Sequence, residues 1–180
     1  MRQDRHVALL RGINVGGRNV IRMADLRARF EGMGLTGVAT YIQSGNVVFS
    51  AAQDGDRLAE RIEAELSTAF GTDARIVLLA ADDLERVVTQ APHGFGTEPD
   101  HYRYDVLFVR PPRRADEAVG QIATRPGVDT VAAGDHALYF RRLTSRAAQS
   151  LLPRLVGTPL YRDLTIRNWN TTMRLLEMTR

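Results

Sequence analysis

Residues 6–20 read HVALLRGINVGGRNV, and the architecture follows from how they divide. Val7-Ala8-Leu9-Leu10 is a short apolar run closed by Gly12, which predicts a strand over 6–11. A glycine-rich loop follows, and beyond it Met23, Leu26, Phe30 and Met33 recur at spacings of three and four. Asp25 falls in the first turn of that segment and Gly34 just past its end, the pattern of an amphipathic helix. Downstream, 38–42 and 46–50 are expected to form a hairpin around Ser44-Gly45. Leu58, Ile62, Leu66 and Phe70 mark a second helix, begun near Asp54 or Asp56 and stopped at Gly71. A strand over 74–79 and a short helix over 82–90, ended by Pro92, complete the first half.

The stretch PHGFGTEPD from Pro92 to Asp100 is rich in proline and glycine and is expected to link two units. After it the order begins again. A strand is predicted over 104–109, then a helix face of Ala115, Val119 and Ile122, then a hairpin over 128–133 and 136–140 around Gly134-Asp135. Ser145 opens a helix through Leu151 and Leu155 that Pro153 should kink or split, because an interior proline costs ~3 kcal/mol. A strand over 164–167 and a helix over 173–178 follow. Gly45 and Gly134, Asp56 and Ser145, Arg75 and Leu164, and Asp82 and Thr171 each lie 89 residues apart. The expected fold is therefore α+β: two ferredoxin-like (split βαβ) subdomains related by internal duplication, with mostly antiparallel sheets, over 1–91 and 104–180 with a linker at 92–103. Only the first strand is out of step, since His6 and Tyr104 lie 98 apart. The surplus of nine residues is the loop Gly12-Ile13-Asn14-Val15-Gly16-Gly17-Arg18-Asn19-Val20, and extra length at one loop of a repeated scaffold is where function tends to be placed.

Composition narrows the chemistry. The 180 residues carry 24 Lys+Arg against 21 Asp+Glu, and every one of the 24 is arginine; cysteine is absent as well. That excludes a Schiff-base or phosphate-loop lysine, a thiolate nucleophile and a cysteine-bound metal. Arginine in place of lysine throughout is also what the codon bias of a GC-rich genome would produce. A net charge of +3, with arginines spread from Arg2 to Arg180 among acids, permits nucleic-acid binding without implying it. No apolar run approaches the ~20 residues that span a bilayer, and the amino-terminal residues lead into a strand without a long apolar signal region, so a cytoplasmic protein with no membrane partner is expected.

Leu9 to Gly17 has the order strand, glycine loop, helix, which suits an anion held by backbone N–H groups. It lacks both Gly-Lys-Ser/Thr and Gly-x-Gly-x-x-Gly, so neither nucleotide fingerprint applies. Arg11, Asn14, Gly16, Gly17 and Arg18 are the candidate ligand-binding residues here. In a split unit the first two strands run the same way, which places the Gly12–Asn19 loop beside the Tyr41-Ile42-Gln43-Ser44-Gly45-Asn46 turn. Tyr41, Gln43, Ser44 and Asn46 join the candidate set on that ground, although Ser-Gly between Gln and Asn is also ordinary turn chemistry. In Arg167-Asn168-Trp169-Asn170, Arg167 could clamp an anion and Trp169 stack on a ring. Equally, Asn170 could cap the last helix and Trp169 plug the core. No catalytic residue, cofactor or metal is indicated: Ser44 has no histidine near it, and the spacing of His93, Glu98, Asp100 and His101 matches no metal site. His6 and His136 suggest no ligand either.

These same blocks resemble a bacterial family, domain of unknown function 1697. The resemblance rests on Ala8-Leu9-Leu10-Arg11-Gly12-Ile13-Asn14-Val15-Gly16-Gly17, on Met23 with Leu26-Arg27, on Thr40 through Phe49, and on Arg167-Asn168-Trp169-Asn170-Thr171. It covers essentially the whole chain, with Arg174 where the family often has lysine. It implies a two-subdomain α+β fold and brings no catalytic residues. The expected function is that of a cytoplasmic protein binding a small anionic ligand, phosphorylated ones included, at the Gly12–Asn19 loop and the Gln43–Asn46 turn. An RNA-binding module using Tyr41, Phe49, Tyr139 and Phe140, and a structural protein with no ligand, are the alternatives. Enzymatic activity and oligomeric state are left open.

Overall fold

The computed structural model describes residues 4–13, 20–52 and 55–180. Two four-stranded antiparallel sheets with helices make an α+β architecture. In the first, β1 (Asp4–Arg11), α1 (Met23–Gly32), β2 (Thr36–Tyr41), β3 (Asn46–Ala51), α2 (Gly55–Phe70) and β4 (Arg75–Ala80) form a sheet in the order β2-β3-β1-β4. Strand β1 pairs with β3 through Leu9↔Asn46 and with β4 through Leu9↔Val77, so its backbone is bonded on both sides. Its alternate residues divide between two faces. Ala8 and Leu10 join Leu26 and Phe30 of α1 and Leu58, Ile62 and Leu66 of α2 in one core, where Phe30 meets Phe49 edge-on at 5.3 Å. Val7 and Leu9, on the opposite face, are equally shut from solvent.

The helices take their bounds from local chemistry. Arg22 reaches forward to Asp25 at 2.7 Å over the first turn of α1, and Gly34, at φ +78°, turns the chain out after its last. In α2 the stripe of Leu58, Ile62 and Leu66 also carries Glu63, buried at 8 % exposure. Its carboxylate accepts the Ile76 N–H at 2.9 Å and lies 3.8 Å from Arg75, which meets its need for partners.

Helix α3 (Ala81–Thr89) leads into the second sheet, built from β5 (Tyr102–Val109), α4 (Ala115–Ala118), β6 (Asp129–Ala133), β7 (Ala137–Leu143) and β8 (Leu164–Asn168), followed by α5 (Trp169–Thr179). Its order, β6-β7-β5-β8, has the pattern of the first. The Leu10 N–H bonds Gly45 O and the Val109 N–H bonds His136 O, while Leu10 pairs with Ile76 and Val109 with Leu164. Equivalent residues are thus 99, 91 and 88 positions apart, so the topology repeats without the constant offset of 89 that the landmarks suggest.

The second half also departs in its helices. The expected helix through Ala115, Val119 and Ile122 is one four-residue turn of α-helix and a 3₁₀ turn, and the one expected from Ser145 is three 3₁₀ segments, Thr144–Gln149, Leu152–Gly157 and Pro159–Asp163. Pro153 and Pro159 each stand at the start of a segment, where their missing N–H costs nothing, and neither can continue a helix from before it. Leu152, Leu155 and Leu160 still reach the core of Leu107, Leu138 and Phe140.

Two compact units result, one of residues up to Leu84 together with Leu175–Arg180, the other Glu85–Arg174. The division falls within α3 instead of at 92–103. The physical reason is that the end of α3 and the residue just beyond it are bonded to the β6–β7 hairpin: the Tyr139 hydroxyl donates to Val87 O at 2.6 Å, and the Asp135 N–H donates to Gln90 Oε1 at 3.0 Å. The final turn of α5 belongs to the first unit, where Arg5 donates to Met178 O at 2.8 Å.

Gly45 decides how closely the β2–β3 turn can approach β1. At φ +76° it holds a conformation that costs an L-residue ~1–2 kcal/mol, and a methyl group there would lie 2.5 Å from Ile13 Cδ1 and 2.8 Å from Leu10 Cβ. Gly71 has φ +62° with open space around it. Urea unfolding should therefore show Gly71→Ala losing roughly 1–2 kcal/mol and Gly45→Ala roughly 2–5 kcal/mol, the excess being overpacking; equal losses would contradict the close approach.

Candidate functional site

Strand β1 ends at Arg11, half-buried, and the register sets Arg11 directly opposite Arg75 at the last pair of β1 and β4. Like charges directly opposed across two strands are unfavourable, and Arg75 has acids at hand to offset this, Asp73 at 3.2 Å and Glu63 at 3.8 Å. Past Arg11 the chain turns at Gly12 (φ +68°) and buries Ile13 against Gly45. The exit of β1 and the β2–β3 turn are thus adjacent, as the shared direction of β1 and β2 requires. Asn14, Gly16, Gly17 and Arg18, with Asn19, lie outside the described residues; the chain resumes at exposed Val20 and buried Ile21.

Asn46 is fully buried, and its amide donates to Tyr41 O at 2.9 Å and to Ser44 Oγ at 3.0 Å. It fastens the turn from inside. Outward, the turn presents Gln43, exposed, with Tyr41 and Ser44 half-buried, and Ile42, 49 % exposed at φ +50°. A β-branched residue in the left-handed region costs of order 1–3 kcal/mol, and such strain is found mostly where a segment serves a ligand or a switch.

The Arg167-Asn168-Trp169 block does not act as one group. Arg167 is buried, donates to Ile166 O at 2.9 Å, and desolvation pulls its pKa down to about 10. Asn168, next along β8, sends its side chain to the other face and accepts the Thr171 N–H at 2.8 Å. It is Asn168, and not Asn170, that caps α5. Trp169 is half-buried and packs edge-on to Phe95 at 5.2 Å, its indole lying directly on the backbone of Gly96. Phe95 also meets Tyr104 and Tyr139, so the expected linker contributes a packed aromatic to the second unit.

Sequence reasoning missed one further cluster. Arg142 lies 3.2 Å from Asp105, brought there by the diagonal of the β5–β7 ladder, in which Arg103 opposes Arg142 and Asp105 opposes Phe140. Thirty-odd residues of intervening chain hide the pair from any local motif. Of the aromatics considered for RNA, Phe49, Tyr139 and Phe140 are at most 2 % exposed and offer no stacking face. Among the described residues no three histidines or carboxylates are placed to hold a metal, and no helix is long and apolar enough to cross a membrane.

A family match spans residues 3–139, to proteins of unknown function under the designation DUF1697. The chain belongs to the DUF1697 family. It is also similar to a solved structure, the conserved bacterial protein SP0830 from Streptococcus pneumoniae, with a TM-score of 0.88 and 26 % identity over 99 % of this chain and 100 % of that one. The structural likeness therefore continues through the Arg167–Thr171 block, beyond the span of the family match. No curated protein matches the chain.

Burial pushes the Tyr139 hydroxyl up from its ordinary value of 10 to about 12, with Asp135 adding to the shift. The folded state thus prefers the neutral phenol. That stabilisation is complete below pH ~10 and is lost as pH rises through ~12. Arg167 acts oppositely: the unfolded chain keeps its proton above the folded pKa of about 10, so its cost falls over the same range. With no lysine to titrate there, stability measured between pH 9 and 12 should fall less steeply in Tyr139→Phe than in wild type, and parallel curves would refute the assignment.

Proposed function

We propose that this DUF1697 protein binds a small anionic ligand of the phosphate class at the exit of β1, between the Gly12–Asn19 loop and the Gln43–Asn46 turn. The observation that carries the reading is the opposed pair Arg11 and Arg75 at the strand ends where the glycine loop departs. An arginine fork offers two parallel N–H donors to a phosphate or carboxylate, and an anion set between two such groups turns their repulsion into attraction. The strain at Ile42 supports the same location, because a turn that only joined two strands would have no use for it. Asn14, Gly16, Gly17 and Arg18 would supply further donors from the loop, and Gln43 and Ser44 from the turn. Asn46, which also fastens the turn from inside, belongs to the same proposed set. We further read both units as ferredoxin-like split βαβ folds that arose by duplication, supported by their common strand order.

Thermal unfolding in the presence of inorganic phosphate, pyrophosphate and nucleotides tests the reading. A ligand at a hundredfold excess over its Kd stabilises by ~2.7 kcal/mol, which for a chain of this size raises Tm by roughly 5–10 °C. Wild type should show such a rise with at least one of these anions and Arg11→Ala should lose most of it. A wild type that responds to none, or an Arg11→Ala variant that responds equally, would overturn it.

A further inference from the structure

The second unit contains a cavity of about 340 Å³ whose lining includes Tyr102, Arg103, Asp105, Arg142, Asn168 and Trp169. Two planar side chains stand at its wall. Trp169 is fixed by its contact with Phe95 and by Gly96, where any side chain would collide with the indole; Tyr102 carries the Arg141 guanidinium 4.4 Å from its ring centre. The polar part of the lining is unusual in being unfinished. Asp105 Oδ2 and Arg142 Nε are both buried and neither forms a hydrogen bond, although the two side chains lie 3.2 Å apart as an ion pair. Ion-pair distance without hydrogen-bond alignment recovers Coulomb energy and leaves directional capacity unused. A buried acceptor and a buried donor without partners each cost of order 1–3 kcal/mol, a cost natural folds seldom carry without a use for the groups.

We propose that this cavity binds a planar heterocycle of the nucleobase class, stacked against Trp169 and Tyr102, with one edge presenting a donor to Asp105 and an adjacent acceptor to Arg142. Three features select that class. The volume lies in the range of small-molecule sites and is too small for a folded partner. The flat walls favour a ring, since stacking on an aromatic contributes ~1–3 kcal/mol per base. An adjacent carboxylate and guanidinium demand a neutral edge with a donor beside an acceptor, which uracil, adenine and guanine possess and a simple anion lacks. The part of each side chain that remains exposed, 13 % for Asp105 and 21 % for Arg142, gives the ligand its approach. Burial also raises the Asp105 carboxyl above its ordinary value, with Arg142 and Arg103 pulling it back, as suits a carboxylate whose hydration has been removed and not replaced. The site is independent of the anion site at the end of β1.

Trp169 is the chain's only tryptophan, so its fluorescence reports this cavity directly. Titration of the full chain with uridine, adenosine and guanosine should quench it saturably for at least one of them. The matched donor-blocked base, 3-methyluridine, N6,N6-dimethyladenosine or 1-methylguanosine, should bind roughly tenfold more weakly or worse, the loss expected for one hydrogen bond to a charged group. Asp105→Asn should weaken binding similarly, and Tyr102→Leu, at the half-exposed wall, keeps the test open if Asp105→Asn does not fold. Arg11→Ala should leave the quench unchanged, which separates this inference from the reading of the β1 site. No saturable quench by any of the three nucleosides, equal affinity for the donor-blocked base, or wild-type binding by both cavity variants would overturn the proposal.

Discussion

The antiparallel pairing of β1 with β3 on one side and β4 on the other determines where everything else in the first unit can be. A strand hydrogen-bonded along both edges and closed to solvent on both faces cannot shift by one residue without moving Val7 and Leu9 into the places of Ala8 and Leu10. With that register fixed, β2 must run parallel to β1 with β3 between them, and the loop leaving β1 must emerge beside the β2–β3 turn. Gly45 is the point at which this geometry becomes intolerant of side chains, since Leu10 and Ile13 occupy the space a Cβ would need. The place proposed for the anion follows from this sheet order, at the end of the sheet where β1 and the β2–β3 turn come together.

The second unit shows how much of this arrangement is independent of the helices. Its sheet keeps the order β6-β7-β5-β8, yet in place of long α-helices it packs 3₁₀ turns that deliver Leu152, Leu155 and Leu160 to the core. A sheet needs apolar cover at given points, and a broken segment supplies it if its leucines fall at the right intervals. The compensating order comes from side chains such as Asp129, whose carboxylate accepts the N–H groups of both Arg125 and Leu151 and so ties two irregular stretches together.

How legible each feature is in the sequence depends on the range of the interactions that make it. Apolar runs locate the eight strands of the described residues to within a few positions, most plainly β1, β3 and β5, whose burial on both faces leaves a continuous apolar composition. The α1 and α2 stripes are equally plain. The segment after Ser145 reads as a helix because its leucine spacing suits one, and only the joint effect of Pro153, Gly157 and Pro159 breaks it. Phe95 sits in a proline- and glycine-rich stretch whose composition signals a loop, and nothing local records that Tyr104, Tyr139 and Trp169 form a socket for it. Asn168 and Asn170 are chemically identical caps two positions apart, so the choice rests on where β8 ends, which sequence leaves uncertain. The Asp105–Arg142 pair is invisible for a different reason: its members meet only through the register of β5 against β7.

The absence of lysine gains significance from these placements. Many of the arginines do work that depends on a planar fork: Arg5 bridges Gly37 O and Met178 O, Arg125 reaches Gln149 O, and Arg141 lies over Tyr102. A lysine ammonium could reach one such acceptor but has no flat face to lay on a ring and no second nitrogen held at a fixed distance from the first. Whatever the origin of the arginine excess, the fold uses the geometry of the guanidinium. The consequence is greatest at Arg167, which is buried: desolvation lowers its pKa only to about 10, where a lysine in the same place would be neutralised far more readily. A chain that places guanidiniums in its interior must provide acceptors for their N–H groups there. Where it provides a carboxylate at ion-pair distance without completing the hydrogen bonds, as between Arg142 and Asp105, the remaining capacity is open to a ligand.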